Sequence, residues 1–310
     1  MPSETILITL WMLNNHWYSF FSSWCKIYIP VERNLSLPFS ITFWGVRGSI
    51  ASPGPSTQRY GGNTPCIEID CNGHTIVIDA GTGIRPLGVK LAQNSNRKNL
   101  DLLFTHTHMD HLVGLPFFAP AYNPENTIRF WAGHLRPERS LEDACRHLMS
   151  DPLFPVPPDV FQANVSFIDF EENSTISITP EITVITAPLD HPGRATGYRI
   201  EFGGKSVAVV TDTKHIPDTP NKNALKLMNE ADVVIYDSMF TEEEFKERPD
   251  WGHSTWEEAI KLANIAGAKQ LVLFHHDPAR TDDEMDKIVA DASERRPGTI
   301  AAREGETLTL

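Results

Sequence analysis

The chain has 310 residues, a net charge of −13 and a sequence pI near 5.3. That length is enough for one large or two small globular domains, and the acidic balance argues against a non-specific binder of long nucleic acid. Four cysteines (Cys25, Cys66, Cys71 and Cys145) make no Cys-x-x-Cys and no dense framework, so a reducing, cytoplasmic setting is expected, with core thiols rather than disulfides.

Residues 1–38 differ in texture from the rest. The apolar run at 6–13 falls far short of the roughly 18–20 residues that a membrane span needs. No basic residue precedes it and no clear cleavage site comes after it, so it makes a poor secretory signal. This stretch reads as an appendage, with the fold proper over 39–310.

The fold is expected to open with a strand at 41–44, then a polar loop that carries Arg47, Asn63 and Thr64. Two apolar runs at 66–70 and 75–79, joined by Asn72-Gly73, predict a hairpin. Asp79-Ala80-Gly81-Thr82-Gly83 breaks into a helix around 84–92. Leu100-Asp101-Leu102-Leu103 then reads as a buried strand.

The densest chemistry in the chain comes directly after that strand, in Phe104-Thr105-His106-Thr107-His108-Met109-Asp110-His111. Side chains two apart on a strand share a face, so His106 and His108 can point the same way. Asp110 and His111 turn with the chain toward a second point, and the next residues, 112–116, predict a helix with Pro116 in its first turn. The pattern suits two adjacent metal ions better than one.

Further on come a strand at 128–131, a helix at 140–149 and a loop forced by Pro152, Pro155, Pro157 and Pro158. The second half alternates again, with strands at 182–185, 198–202, 206–210, 233–236 and 271–274 and helices at 221–230, 254–266 and 282–292. This rhythm predicts two sheets face to face with helices outside. Three more polar residues stand where an apolar strand gives way to a loop: His191, Asp212 and His275, the last with His276 beside it. His275 is favoured over His276 because it directly ends its strand. Imidazole and carboxylate without thiolate suit Zn²⁺, with Mn²⁺ or Fe²⁺ as alternatives. Asp79 reads as a supporting carboxylate rather than a ligand.

His-x-His-x-Asp-His after a strand resembles the signature of the metallo-β-lactamase-fold hydrolases, and the resemblance covers roughly residues 40–310. It implies an α/β fold, a four-layer αββα sandwich with the metals at one edge. It also implies a ligand set: His106, His108 and His191 on one metal, Asp110, His111 and His275 on the other, and Asp212 bridging, hence two Zn²⁺ per chain. Gly252-His253-Ser254-Thr255 resembles the extra histidine motif of ribonuclease Z and related phosphodiesterases. By that likeness His253 is a general acid, with Asp110 nearby to orient it.

True β-lactamases usually carry Cys where Asp212 stands, which disfavours that activity. Ribonuclease Z carries a long tRNA-binding arm between the third histidine and the bridging aspartate, but here the interval is filled by the strands at 198–202 and 206–210. The expected activity is therefore hydrolysis of a small anionic phosphodiester, such as a cyclic nucleotide or cyclic phosphate. A thioester or lactone hydrolase is the alternative, and a tRNA 3′-end endonuclease is disfavoured by the absent arm. Arg47, Asn63, Thr64 and Lys214, each on a polar loop, are the expected phosphate contacts. Dimers are common among the proteins resembled, so a homodimer fits the same reading.

Overall fold

The computed structural model describes residues 37–93 and 98–310. The appendage expected over 1–38 thus lies, but for Leu37 and Pro38, outside the described residues. Ser36–Leu310 forms one compact unit.

Six strands in succession build most of the first sheet: β1 (Phe39–Gly45), β2 (Cys66–Cys71), β3 (His74–Ile78), β4 (Asn99–Phe104), β5 (Thr127–Ala132) and β6 (Asn164–Asp169). The second sheet contains β7 (Thr175–Thr179), β8 (Ile182–Leu189), β9 (Ala195–Phe202), β10 (Lys205–Val210), β11 (Val233–Asp237), β12 (Gln270–Phe274) and β13 (Ile300–Ala301). The final strand, β14 (Thr307–Thr309), returns to the first sheet beside β1. The orders are β14-β1-β2-β3-β4-β5-β6 and β13-β12-β11-β10-β9-β8-β7. In both sheets antiparallel strands lead into parallel ones, β3 to β6 in the first and β10 to β13 in the second.

Seven helices pack around these strands: α1 (Ile84–Ala92), α2 (Met109–Leu112), α3 (Leu141–Leu148), α4 (Lys222–Met228), α5 (Glu242–Glu247), α6 (Trp256–Ile265) and α7 (Asp282–Arg295), counted among the described residues. The strands alternate, and the alternation separates the layers. Ile76 and Ile78 of β3 join Val207, Val209, Val233, Ile235, Val272 and Phe274 in a core between the two sheets. Their neighbours Ala208, Val210, Val234, Tyr236, Leu271 and Leu273 face the other way, where they bury α4, α6 and α7. On the first sheet Val77, Leu102, Phe104 and Phe130 face outward against Ile84, Leu87 and Leu91 of α1 and Leu141 and Cys145 of α3. The four-layer αββα sandwich expected from the sequence is the observed architecture.

Some local expectations shift. The helix expected from Leu112 begins earlier, with α2 at Met109, so Asp110 and His111 lie in its first turn. Pro116 instead sits in a separate 3₁₀ turn, Leu115–Phe117. Strands β6 and β7 lie outside the expected set. Much of each is partly or fully exposed rather than buried, so the apolar signal is weak. Among the described residues, no helix is long and apolar enough to cross a membrane.

Candidate metal centre

The chemistry collects at the carboxyl ends of the strands. His106 comes after β4, His191 after β8, Asp212 after β10 and His275 after β12. Asp79, Asp212 and His275 have left-handed backbone conformations (φ of 62°, 58° and 60°), which turn the chain sharply as it leaves β3, β10 and β12. Non-glycine residues held in this region cost free energy and cluster at functional sites.

Two groups of side chains converge there. His106, His108 and His191 form the first, with His106 Nε2 2.9 Å and His191 Nε2 3.1 Å from Nδ1 of His108. Asp110, His111, Asp212 and His275 form the second. In it, His111 Nε2 lies 3.2 Å from an Asp110 oxygen and 3.3 Å from Nε2 of His275. Asp212 stands between the two groups. One of its oxygens is 3.3 Å from His275 Nε2, 3.8 Å from His106 Nε2 and 3.9 Å from His191 Nε2, and the other is 3.4 Å from His111 Nε2. The structure thus brings all seven expected ligands together. His276 points away and donates from Nε2 to the Ala302 carbonyl at 2.9 Å.

The surroundings fix which nitrogens face inward. His191 Nδ1–H donates to the Gly252 carbonyl (2.8 Å), and His111 Nδ1–H donates to Asp79 (2.8 Å). In the neutral ring each bond leaves an Nε2 lone pair aimed at the cluster, the arrangement by which outer partners orient metal-binding imidazoles. Asp79 also accepts from the Thr105 amide and hydroxyl, both at 2.8 Å, and Asp110 accepts from the Ser49 amide at 2.8 Å. Gly48 and Gly252 leave the room this needs: a Cβ on Gly48 would collide with the His275 ring and one on Gly252 with the His191 ring.

The charges are matched to a cation. Burial, reinforced by His111, pushes His106 well below its ordinary pKa, and burial also lowers His108 and His191. Burial opposes charge on His111, but Asp212, Asp110 and Asp79 outweigh it and hold that imidazole well above its usual value. Burial likewise opposes ionisation of Asp110 and Asp212, yet the imidazoles around them hold both well below the carboxylate range. Nitrogens bound tetrahedrally at 2.0–2.1 Å stand about 3.3 Å apart. The spacing and the nitrogen and oxygen donors therefore fit divalent metal.

A family model described as a beta-lactamase superfamily domain matches residues 74–276. The chain belongs to this superfamily. A curated relative, ribonuclease Z of Gemmatimonas aurantiaca, is 23% identical over 88% of this chain and 96% of its own length. Among solved structures, the metallo-β-lactamase-fold protein YhfI from Bacillus subtilis superposes with a TM-score of 0.65 at 17% identity, covering 88% of this chain and 99% of that one. A diphosphatase of the PhnP family gives 0.64 at 19%, covering 88% and 98%. Superfamily membership with such relatives makes the chain a hydrolase.

The remaining expected residues of this superfamily member sort clearly. His253 is buried beside the cluster, its ring stacked 4.9 Å from that of His275. The carboxylate that holds it is Asp237, whose Oδ2 lies 3.0 Å from His253 Nδ1. This corrects the expectation that Asp110 would orient it, because Asp110 is engaged with Ser49, His111 and His275. Burial opposes a charge on His253, but Asp237 in contact, with Asp212 and Asp110 farther off, raises its pKa to about 9. Asp237 ends β11 as the last letter of Val233-Val234-Ile235-Tyr236-Asp237, the same polar residue after an apolar run that marks Asp79.

Three of the four expected phosphate contacts are used in the structure itself. Arg47 is fully buried and donates to the carbonyls of Gly61, Asp277 and Arg280, with Asp282 3.8 Å away. Asn63 donates from its side chain and its amide to Glu304, and Thr64 exchanges hydrogen bonds with Thr82. Lys214 differs: its ammonium is partly exposed, 3.9 Å from Asp190, on the loop after Asp212.

Proposed function

We propose that this chain is a dinuclear metal-dependent phosphodiesterase acting on a small anionic diester. The observation that carries the reading is Asp212, one carboxylate within 4 Å of imidazoles from both ligand groups. His106, His108 and His191 would hold one Zn²⁺, Asp110, His111 and His275 the other, with Asp212 between. Bound there, the metals lower the pKa of water toward about 7 and neutralise charge on the phosphoryl oxygens.

The chain supplies the proton. His253 keeps one on Nδ1, donated to Asp237, and its other nitrogen would protonate a departing alkoxide. As the phosphorus–oxygen bond breaks, the leaving oxygen takes the proton from Nε2 and His253 becomes neutral. Lys214, close to Asp212 in the chain and partly exposed, would meet a phosphoryl oxygen.

The short interval between His191 and Asp212 supports a small substrate. It holds β9, the turn Gly203-Gly204 and β10, with no room for an inserted arm. The second reading, cleavage of an RNA 3′ end, is favoured by the relatives that carry the name ribonuclease Z. A hydrolysis screen of the metal-loaded protein separates the two. Bis-p-nitrophenyl phosphate, cyclic mononucleotides and cyclic dinucleotides should be turned over and a precursor tRNA should not. H108A and D212A should lose metal, by elemental analysis, and diesterase activity together. Cleavage of a thioester or lactone with the diesters left untouched would overturn the proposal.

A further inference from the structure

A buried imidazole beside the first ligand group has no part in that chemistry. His134 is 3% exposed and lies just past β5. Ala132 of β5 pairs with Phe104 of β4, so His134 stands two residues beyond its strand as His106 stands two beyond the neighbouring one. Its Nε2 lies 3.2 Å from the hydroxyl of Thr107, the residue between His106 and His108. Its ring centre is 6.4 Å from that of His106. The other ring nitrogen is buried with no hydrogen-bond partner.

The same short loop also grips the third histidine. Two residues after His134, the Arg136 carbonyl accepts from the Arg194 guanidinium at 2.7 Å. Arg194 has a left-handed backbone (φ 70°), and its amide closes a turn onto the His191 carbonyl at 2.9 Å. One loop, 134–136, therefore holds both chain segments from which His106, His108 and His191 converge.

We propose that His134 is a positioning residue for the three-histidine pocket, fixing through Thr107 the loop that aims His106 and His108 at His191. A buried imidazole with one nitrogen bonded and the other idle is costly to keep as mere filling. The inference rests on the reading of that pocket as a metal site.

The test is Zn²⁺ titration of the metal-free protein by calorimetry, with thermal unfolding of the same metal-free samples. H134L and T107V should each weaken one of two Zn²⁺ equivalents by about 10–100-fold, the usual cost of losing a partner outside the ligands. The second equivalent and the metal-free melting temperature should stay near those of the unaltered protein. The double variant should be no worse than either single one, since both remove the same bond. H134Q, whose side-chain amide can still reach Thr107, should recover most of the affinity. Unchanged affinity in T107V, or additive losses in the double variant, would overturn the proposal. So would an H134L that fails to fold while T107V binds normally, because His134 would then be core packing. Unaltered protein that bound no Zn²⁺ would instead sink the metal-site reading itself.

Discussion

Nδ1 of His253 lies 3.0 Å from Oδ2 of Asp237, at the end of a strand whose other four residues are all apolar and buried. The pair ties the His253 imidazole to the sheet. Losing general-acid catalysis typically costs about 10²–10⁴-fold in rate. H253A should therefore keep its metals and fold but lose kcat by that order on diesters with alkoxide leaving groups. On p-nitrophenyl diesters the loss should be much smaller, because nitrophenolate leaves without a proton. D237N should show the same leaving-group dependence in weaker form. Equal losses on both substrate types would remove His253 from the proton-donor role.

Asp79 should matter to metal affinity without touching metal. It is buried, and it holds His111 and both polar groups of Thr105 at 2.8 Å. D79A should weaken metal binding by about 10–100-fold. It also leaves buried donors unpaired, which costs about 1–3 kcal/mol in stability. D79N keeps acceptor geometry without the charge, so it should recover stability better than affinity. Metal titration and chemical denaturation of both variants check this, and a D79A protein with full affinity would refute it.

Acid should also act on a buried carboxylate of the first sheet. Asp101 in β4 accepts from Trp131 Nε1 (2.7 Å), Arg129 (2.7 Å) and His74 (2.8 Å). Burial opposes its ionisation, but hydrogen bonds from His74, Arg129 and Trp131 hold its pKa below the ordinary value. A folded pKa below the unfolded one stabilises the fold fully above the unfolded value, near 3.9, and less as pH falls toward the folded value. D101N should thus be less stable than the unaltered protein at pH 7, by about 1.5–3 kcal/mol. The gap should narrow below about pH 4. Thermal unfolding across pH 3–7 measures it, and a gap independent of pH would argue that packing, not charge, is at stake.

A chain starting at Leu37 should fold and keep its activity. Among the described residues the first sheet's hydrogen bonding begins at Pro38, whose carbonyl accepts from the Asn72 amide at 2.7 Å, and β1 starts at the next residue. Circular dichroism, metal content and diesterase activity should match those of the full chain. An insoluble or inactive product would make residues 1–36 part of the working protein.

The layers and the ligand cluster are legible in the sequence because both are local signals. The apolar runs at 75–78 and 207–210 are visible in the bare string of residues, and so is a histidine placed directly after an apolar run. Arg47 misleads for the opposite reason. An arginine in a glycine-bearing loop looks solvated, and the carbonyls of Asp277 and Arg280 that bury it lie more than 200 residues away in the chain. Asp237 escapes notice because one aspartate after an apolar run also reads as the start of a turn. Only the fold shows that it faces a histidine 16 residues later. His134 carries no periodic signal, since its meaning lies in strand pairing between β4 and β5.

The pairing of β1 with β14 has a consequence for synthesis. Thr42 and Thr307 share a 2.8 Å hydrogen bond across 265 positions of chain, and Leu310 donates its amide to the carbonyl of Phe39. Among the described strands, the first in sequence is thus covered by the last. On the ribosome β1 can pair with β2 early, but its other edge waits until β14 has been made. Bare strand edges template pairing with other chains. A stop just before β14 would spare every residue of the candidate metal centre and still release a protein with an open edge, prone to aggregate before it could be assayed.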